Sequence, residues 1–270
     1  MNIRYFKFSP TGNDTLLIDS PVPRDRQGAL AARLLERLGG EQVGYIEVPA
    51  DPGARARLQM MGGEFCGNAT MALGALIARM DAPQGGVIDL LIEVSGCAAP
   101  VPCRIRADGD GWLGTVRMPL PTAVTRCVVE TDAGPLDAPL VVMPGISHLI
   151  LPVGAAPSPD ELRRRLSAWN RQIGADALGA LLWDESSSTI DPLVYVPSAS
   201  TLVRERGCGS GSAAVGCWLA LRAGHSLNTA VRQSGGTIEV EARIKDNALE
   251  SLSITGHVAP LEEGSLAIDV

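Results

Sequence analysis

Two stretches of the chain are nearly the same: CGNATMALGALIA at residues 66–78 and CGSGSAAVGCWLA at residues 208–220. The two copies lie 142 positions apart, about half of the 270 residues. Each copy places a cysteine and a glycine ahead of a small polar residue and an apolar run of helical character. The repeat therefore predicts two related halves, each with a thiol at the N-terminus of a helix.

A helix N-terminus favours acid–base chemistry by a thiol. The first N–H groups of a helix have no partner within the helix and carry a partial positive charge. A thiolate is stabilised there, so the pKa of such a thiol is expected to fall from about 8.5 towards neutrality. Two opposed thiols can act on one α-carbon, one removing the α-proton while the other delivers a proton to the opposite face. We therefore expect Cys66 and Cys208 to be catalytic.

The residues after each cysteine are suited to holding a substrate. The N–H groups at helix N-termini bind carboxylates, glycine lets a ligand approach the backbone closely, and asparagine and serine are good N-cap residues. The alternative is that both cysteines are small buried core residues, which the duplication of the whole motif disfavours. The expected substrate-binding residues of these motifs are Gly67, Asn68, Gly209 and Ser210.

The composition is that of a globular protein, and it argues against several classes of partner. Hydrophobic residues make up 46% of the chain and charged residues 20%, as in packed domains. The net charge of -7 and the aromatic content of only 4% argue against nucleic acid. No apolar run reaches the roughly 18 residues that span a membrane, and the first residues, MNIRYFK, lack the apolar centre of a signal peptide. We therefore expect a cytoplasmic protein with no membrane partner.

The six cysteines are expected to be reduced thiols. A long chain without a signal segment or a dense cysteine framework is not typical of disulfide-stabilised proteins. The three histidines, at positions 148, 225 and 257, have no metal-ligand spacing with one another or with a cysteine. No metal or cofactor site is therefore predicted. The cysteines expected to be structural are Cys97, Cys103, Cys127 and Cys217.

Each half is predicted to form a sheet beside or around one central helix. Apolar residues at helical spacing predict helices over 27–38 and 159–173, besides the two that follow the repeated cysteines. The segment 119–121, Pro-Leu-Pro, is the best boundary, giving domains 1–120 and 121–270. A return of about the last ten residues to the N-terminal domain is left open. The predicted strands cover 3–8, 15–18, 43–48, 56–61, 87–94, 98–107, 114–118, 125–130, 140–142, 148–152, 180–184, 192–196, 237–244 and 251–258.

The two cysteine motifs resemble those of the diaminopimelate epimerase superfamily, which also contains proline racemases and phenazine-biosynthesis isomerases. The triplet Gly12-Asn13-Asp14 resembles one that the epimerases carry after their first strand, and the likeness extends over nearly the whole chain. The resemblance implies an α/β (α+β) fold of two pseudosymmetric domains, each a sheet wrapped around a central helix, with the active site in the interdomain cleft. It also implies an isomerase that racemises an amino acid with two bases and no cofactor.

The substrate pocket is expected to differ from that of diaminopimelate epimerase. The epimerase sequence Gly-Asn-Pro-His is Gly-Ile-Ser-His at 145–148 here, and Ile146 cannot replace the asparagine that helps hold the distal carboxylate. The loop before the second cysteine is also shortened, to residues 205–207. Segments 41–47, 64–71, 94–97 and 235–236 resemble the histidine racemase branch that serves staphylopine-type metallophore synthesis. Histidine is therefore the expected substrate, with diaminopimelate or another amino acid as alternatives.

The resemblance also implies roles for individual residues. His148 matches the epimerase histidine near the first cysteine, where it is expected to assist thiolate formation. Glu205 is expected to serve the second cysteine in the same way. Asn13 and Glu41 are expected to lie at the substrate, where the Glu41 carboxylate can accept a bond from an imidazole N–H. Arg206 is a weaker candidate for binding a distal carboxylate, because its asparagine partners are missing.

Two other classes of function stay open. A thiol redox protein would use Cys66 and Cys208 as a dithiol and would catalyse no exchange of an α-proton. A non-catalytic amino-acid binding module would bind the same ligand, but it would not need both cysteines. The expected partner is a small amino acid, and a homodimer is one option for the assembly.

Overall fold

A computed structural model of the chain describes residues 1–81, 86–199 and 201–268. It has a mixed α+β fold in which strands are far more numerous than helices. The chain separates into two compact units: unit 1 is Met1–Arg117 with Ile254–Val270, and unit 2 is Met118–Ser253. That the two units are domains with a boundary after residue 120 stays a prediction, and the last two residues of the chain lie outside the described ranges.

Unit 1 is a sheet that closes around one buried helix. Its elements, in chain order, are β1 (Asn2–Pro10), β2 (Thr15–Ile18), α1 (Arg24–Leu38), β3 (Gln42–Glu47), β4 (Ala56–Met60), α2 (Gly67–Asp81), β5 (Val87–Val94), β6 (Val101–Asp108), β7 (Gly111–Arg117) and the later part of β16 (Ala248–Ala267). The strands follow one another in order from β1 to β7, and β16 joins β7 back to β1. Helix α2 contacts six of these strands. Its residues from Gly67 to Ala78 are all buried, so this helix is the centre of the unit.

Close packing around α2 depends on its small residues. A Cβ atom at Gly74 would lie only 2.8 Å from Cδ1 of Ile105 on β6. Real Cβ atoms do not approach so closely, so the helix can lie this near the sheet only because position 74 has no side chain.

Unit 2 also packs strands against one central helix. Its elements are β8 (Ala123–Thr131), β9 (Gly134–Met143), β10 (Ile146–Pro152), α3 (Pro159–Ile173), β11 (Leu178–Asp184), β12 (Thr189–Val196), β13 (Thr201–Arg204), α4 (Gly209–Ala223), β14 (Leu227–Gln233), β15 (Gly236–Lys245) and the first part of β16, with short 3-10 turns at Val153–Ala155 and Pro197–Ala199. The strand order is β16-β15-β14-β12-β11-β10-β9-β8, with β13 paired to β12. Helix α4 contacts β9, β10, β14 and β15.

Helix α3 has clear local signals at both ends and covers the edge of β8. The Ser158 hydroxyl accepts from the Glu161 N–H, and Gly174 ends the helix in the left-handed conformation. On its inner side, Trp169 Nε1 donates to the Glu130 carbonyl at 3.0 Å. Gln172 donates to the carbonyl of Val128 at 2.9 Å. These bonds occupy backbone acceptors at the end of the sheet, where a free edge invites pairing with another chain.

Most predicted elements are confirmed with small shifts at their ends, and those at 15–18, 87–94 and 159–173 match fully. Two strands were missed, and two predicted strands were too short. Two strands, β13 and β14, were not predicted, because their sequences are short or largely polar. Strand β9 begins at Gly134 and not at 140, because its two prolines gave the first half the pattern of a loop. Strand β16 continues past residue 258 to Ala267, because it pairs with β1 along its later half.

Candidate active site

Cys66 occupies the capping position of helix α2. Its carbonyl accepts from the Thr70 N–H at 3.0 Å and from the Thr70 hydroxyl at 2.7 Å. Its sulfur accepts from the Ala69 N–H at 3.4 Å. The thiol therefore caps the helix as a serine or aspartate oxygen does at other helix N-termini. The residue is half-buried. The structure thus places this thiol at the positive end of the central helix of unit 1.

A chain of amide side chains leads away from the Cys66 thiol. The thiol donates to Oε1 of Gln42 at 3.1 Å. Nε2 of Gln42 donates to Oδ1 of Asn13 at 2.5 Å and to the Thr15 hydroxyl at 2.8 Å. Nδ2 of Asn13 in turn donates to the Glu41 carboxylate at 2.6 Å. Unit 1 therefore brings three predicted site residues, Asn13, Glu41 and Cys66, into one hydrogen-bonded group.

The backbone around this group explains why these residues meet. Strands β2 and β3 run parallel with Thr15 opposite Gln42, which sets residues 13–15 beside residues 41–42. Asn13 follows a tight turn in which Thr11 and Gly12 have positive φ angles of 50° and 79°. Asn13 itself is 5% exposed, so its amide is held within the fold and not on a solvated loop.

The loop before Cys66 is held by the turn that follows β5. The Ser95 hydroxyl donates to the Glu64 carbonyl at 2.7 Å and accepts from the Met60 N–H at 2.9 Å. Gly96, with φ of 77°, packs so closely that a Cβ there would lie 2.5 Å from the Phe65 nitrogen. A side chain at position 96 would therefore displace the segment that carries the thiol.

Cys208 has the same capping position on helix α4. Its sulfur accepts from the Gly211 N–H at 3.3 Å. Its carbonyl accepts from the Ser212 N–H at 3.0 Å and from the Ser212 hydroxyl at 2.8 Å. A Cβ at Gly211 would lie 2.8 Å from Leu181 and 3.1 Å from the Cys208 sulfur, so the glycine makes room for the thiol. Cys208 is only 2% exposed.

The Glu205 carboxylate neighbours the Cys208 thiol and interacts with it electrostatically; Cys208 is buried and Glu205 is half-buried. Burial raises the pKa of Cys208 well above its ordinary value, and the neighbouring Glu205 carboxylate raises it further. Burial also raises the pKa of Glu205, while the neighbouring thiol offsets part of that rise. The expectation of a lowered thiol pKa is therefore wrong for Cys208, because desolvation and a neighbouring negative charge outweigh the helix N-terminus.

Gln233 clamps the backbone of Cys208. Its Oε1 accepts from the Cys208 N–H at 2.6 Å, and its Nε2 donates to the Ser212 hydroxyl at 2.9 Å. From the same turn, the Gly235 N–H donates to the Arg206 carbonyl at 2.7 Å. The turn after β14 thus holds the segment before Cys208, as the turn after β5 holds the segment before Cys66.

His148 reaches the same helix end through a serine. Its Nε2 lies 3.0 Å from the Ser210 hydroxyl, and that hydroxyl lies 3.6 Å from the Cys208 sulfur. His148 is fully buried, and burial lowers its pKa to about 3, so the imidazole is neutral at neutral pH. Its ring packs where a Cβ at Gly179 would lie 2.3 Å from Nδ1. Unit 2 therefore groups His148, Ser210, Cys208 and Glu205, and a role for His148 at the first cysteine stays a prediction.

Three of the remaining predicted residues lie at the same helix ends, and two lie outside the helices. Gly67, Asn68 and Gly209 are buried in the first turns of α2 and α4. Ile146 begins β10, and Arg206 is exposed. All six cysteines lie in the described residues and are free thiols. Burial raises the pKa of Cys103 to about 12 and that of Cys217 to about 11, so both are protonated at neutral pH.

Sequence reasoning missed four residues of these sites. Thr70 and Ser212 stand four positions after the two cysteines, and their hydroxyls bind the two cysteine carbonyls. A signal for them was present, since a hydroxyl residue recurs at the same offset in both copies. Gln42 and Gln233 gave no such signal. Each lies on a strand far from its cysteine in sequence, and only the pairing of strands in the fold brings the two together.

The described residues include no group of three or more histidine, cysteine, aspartate or glutamate side chains that could hold a metal ion. None of the helices in the described ranges is both long enough and apolar enough to cross a membrane.

A family model for the N-terminal domain of the histidine racemase CntK matches residues 2–266. The chain belongs to this family. The histidine racemase of Staphylococcus aureus strain Mu50 is 28% identical to this chain, over 99% of the chain and 98% of that protein. A histidine racemase of Fusobacterium nucleatum subsp. nucleatum is also 28% identical, over 80% of each chain. The match to this family thus extends over nearly the full length.

Solved structures share the fold at lower identity. A hydroxyproline epimerase from Agrobacterium vitis, determined with bound trans-4-hydroxy-L-proline, aligns with a TM-score of 0.73 and 15% identity over 100% of this chain and 93% of that one. A structure described as a predicted epimerase from Pseudomonas aeruginosa aligns with a TM-score of 0.70 and 14% identity, over 99% and 100% of the two chains. At these identities the likeness shows the fold alone.

Proposed function

We propose that this protein interconverts L- and D-histidine by moving the α-proton, without a cofactor. Membership of the histidine racemase family supports the reaction. The relative from Staphylococcus aureus, which is named a histidine racemase, supports the substrate, because it matches this chain from end to end. A cytoplasmic location, a homodimer and a role in metallophore synthesis rest on the resemblance in sequence and stay predictions.

The observation that carries the mechanism is the matched capping position of the two thiols. Each sulfur accepts the third N–H of its helix, from Ala69 at 3.4 Å and from Gly211 at 3.3 Å. That contact stabilises negative charge on the sulfur, which a base must carry after it loses its proton. We infer that the two units form pseudosymmetric domains and that both helix ends face one substrate in the cleft. The thiols then address opposite faces of its α-carbon.

The proton movements follow from the partners of each thiol. When Cys208 acts as the base, its proton passes to the Glu205 carboxylate, and the resulting thiolate removes the α-proton. The Gly211 N–H and the Ser210 hydroxyl are the donors beside that thiolate. Cys66 then delivers its own proton to the opposite face. In the reverse direction the Cys66 thiolate left by this step removes the α-proton, the Cys208 thiol delivers its proton to the opposite face, and Glu205 returns a proton to Cys208.

The first turns of α2 and α4 supply the donors for the substrate carboxylate. The first two N–H groups of a helix have no acceptor within the helix, and they belong here to Gly67 and Asn68 in α2 and to Gly209 and Ser210 in α4. Binding the carboxylate there also favours loss of the α-proton, because it offsets negative charge that develops on the substrate. His148 acts as a positioning residue, since its neutral ring holds the Ser210 hydroxyl.

We assign recognition of the imidazole to Glu41 and Asn13. The Glu41 carboxylate accepts the Asn13 amide at 2.6 Å, and because a carboxylate can accept several hydrogen bonds, it can accept an imidazole N–H as well. A distal carboxylate, as in diaminopimelate, would meet Ile146 where the epimerases have an asparagine. Leaving that charge without a donor would cost several kcal/mol, so histidine is the favoured substrate.

The proposal is tested by measuring kcat/KM for L-histidine, D-histidine and diaminopimelate with enzyme dialysed against a chelator. We expect both histidine enantiomers to be racemised, and each to be used at least ten times better than diaminopimelate. A preference for diaminopimelate would overturn the substrate. A complete lack of α-proton exchange with any amino acid, together with reversible oxidation of the two thiols, would favour a redox protein.

A further inference from the structure

The orientation of the Gln42 amide is fixed by its neighbours. A carboxylate only accepts hydrogen bonds, so the contact of Glu41 with Asn13 at 2.6 Å makes the Asn13 amide nitrogen the donor. The Asn13 oxygen must then accept, and it takes the Gln42 amide nitrogen at 2.5 Å. The Thr15 hydroxyl donates to the backbone carbonyl oxygen of Asn13 at 3.2 Å. Its oxygen therefore accepts the second N–H of Gln42, at 2.8 Å.

This arrangement leaves only the carbonyl oxygen of Gln42 to face the thiol, at 3.1 Å from the Cys66 sulfur. A carbonyl oxygen can accept a bond from S–H, but it has no proton to donate to a thiolate. A thiolate at Cys66 would meet the lone pairs of that oxygen, and Gln42 could turn its nitrogen towards the sulfur only by losing the contacts with Asn13 and Thr15. The amide therefore favours the protonated thiol.

We propose that Gln42 is a positioning residue that keeps the proton on Cys66, so that Cys66 enters the reaction as the acid in the direction in which Cys208 is the base. The role of the acid in racemisation rests on the function proposed above, whereas the hold on the proton does not. The contrast with unit 2 supports the inference, because the Glu205 carboxylate beside Cys208 can take up a proton and an amide cannot. Glu41, at the far end of the chain of amides, fixes the direction of every bond in it.

The inference is tested by the rate at which iodoacetamide alkylates Cys66 at pH 7 without substrate, followed by mass spectrometry of the peptide that carries it. Only the thiolate reacts. Gln42→Met keeps the size of the side chain and removes the acceptor, so it should speed alkylation about two- to tenfold, the effect of one hydrogen bond. Gln42→Glu places a charged acceptor at the thiol and should slow alkylation by a similar factor.

The opposite signs of the two changes separate this role from a merely structural one. Gln59→Met is the matched control, since Gln59 is a buried glutamine of β4 in the same unit whose amide donates to the Met60 carbonyl. It should leave the alkylation rate within twofold. Faster alkylation in both Gln42 variants, slower alkylation in both, or no change in either would overturn the inference. Should Gln42→Met not fold, Gln42→Glu alone decides it, by slowing or not slowing the reaction.

Racemisation assays separate this inference from the proposed function. If the enzyme racemises histidine, Gln42→Met should lower kcat more than it changes KM, because it acts on the acid directly and on the binding residue Asn13 only through one hydrogen bond. If the wild-type protein exchanges no α-proton, the proposed function fails, while the alkylation rates still decide whether Gln42 holds the proton.

Discussion

The two thiols sit in the same local structure but have different partners. Both cap the N-terminus of a central helix, and both have a hydroxyl four residues later that binds the cysteine carbonyl. Cys66 is half-buried and donates to an amide, whereas Cys208 is buried and lies beside a carboxylate that raises its pKa. The duplication therefore preserves the helix cap that stabilises a charged sulfur. The neighbours described for the two thiols differ, an amide for Cys66 and a carboxylate for Cys208.

The difference suits a reaction that needs one acid and one base at the start of each turnover. The Glu205 carboxylate can take up the proton of Cys208, whereas the Gln42 amide accepts a hydrogen bond from Cys66 but cannot take up its proton. The predictions below test this contrast, from the largest expected effect to the smallest.

Replacing either thiol should have the largest effect. Cys66→Ser and Cys208→Ser should each lower kcat for histidine racemisation by about 10²–10⁴-fold, because a hydroxyl is a far weaker base and a poorer acid at neutral pH. Cys127→Ser, a half-exposed cysteine on β8, is the control and should stay within twofold. Near wild-type rates in either site variant would rule out the two-thiol mechanism.

Removing the carboxylate beside Cys208 should cost less than removing the thiol. Glu205→Gln should lower kcat by about 10²-fold, because the proton of Cys208 loses its acceptor. The same change removes a charge that raises the pKa of Cys208, so alkylation of Cys208 should not slow. A loss of activity combined with slower alkylation would instead indicate a disturbed helix end.

The matched control for Glu205 lies in unit 1. Glu64 stands two residues before Cys66, and its carboxylate lies against the backbone of its own loop, where a Cβ at Gly62 would come within 2.5 Å of its Oε2. Glu64→Gln should therefore change kcat only a few-fold. Equal losses in Glu64→Gln and Glu205→Gln would contradict the contrast between the two thiols.

Glu41→Gln should have a moderate and selective effect. An imidazole N–H bound to a carboxylate contributes about 1–3 kcal/mol to recognition, so kcat/KM for histidine should fall about tenfold or more, with little change in the melting temperature. Glu36→Gln, an exposed residue of α1, should leave both quantities unchanged. An equal loss for every amino acid tested would show that Glu41 does not recognise the side chain of the substrate.

The smallest effect is a dependence of stability on pH that originates in unit 2. Burial lowers the pKa of His148 to about 3, whereas the unfolded chain binds that proton near pH 6.5. The stability from this group is complete above about pH 6.5 and declines as the pH falls towards 3. Between pH 6.5 and pH 5 the free energy of unfolding should drop by up to about 2 kcal/mol.

His148→Asn should remove this dependence, as measured by denaturant unfolding at several pH values. His225→Asn, which replaces an exposed histidine of the same unit, should keep it. If the slope survives in His148→Asn, the buried histidine is not its source.

Local patterns predicted the parts of the fold that depend on neighbours in sequence. Helix α3 has a serine cap, a proline at its start and a glycine at its end, and its predicted bounds match. Strand β16 gave no such signal beyond residue 258, because its later half is ordered by pairing with β1 at the other end of the chain. Pairing with a strand far away in sequence cannot be predicted from the hydrophobic pattern of the segment itself.

The same limit applies to the site. The repeated motif was enough to place both thiols at helix N-termini. The partner of Cys66 depends on the parallel register that sets Gln42 opposite Thr15. The raised pKa of Cys208 depends on burial, which a helix-end argument does not include. The sequence therefore predicted the positions of the two thiols better than it predicted their protonation states.

The most direct test of two thiols on two faces is the deuterium content of both enantiomers at early conversion. L-Histidine is incubated with the wild-type enzyme in D₂O, and the reaction is stopped before one tenth has been converted. Because one thiol removes the α-proton and the other delivers a deuteron from solvent, the D-histidine formed should carry deuterium while the residual L-histidine keeps its protium. The reverse experiment from D-histidine should give the mirror result. Protium retained in the product, or deuterium entering the residual substrate as fast as the product forms, would show that a single base serves both faces and would contradict the account.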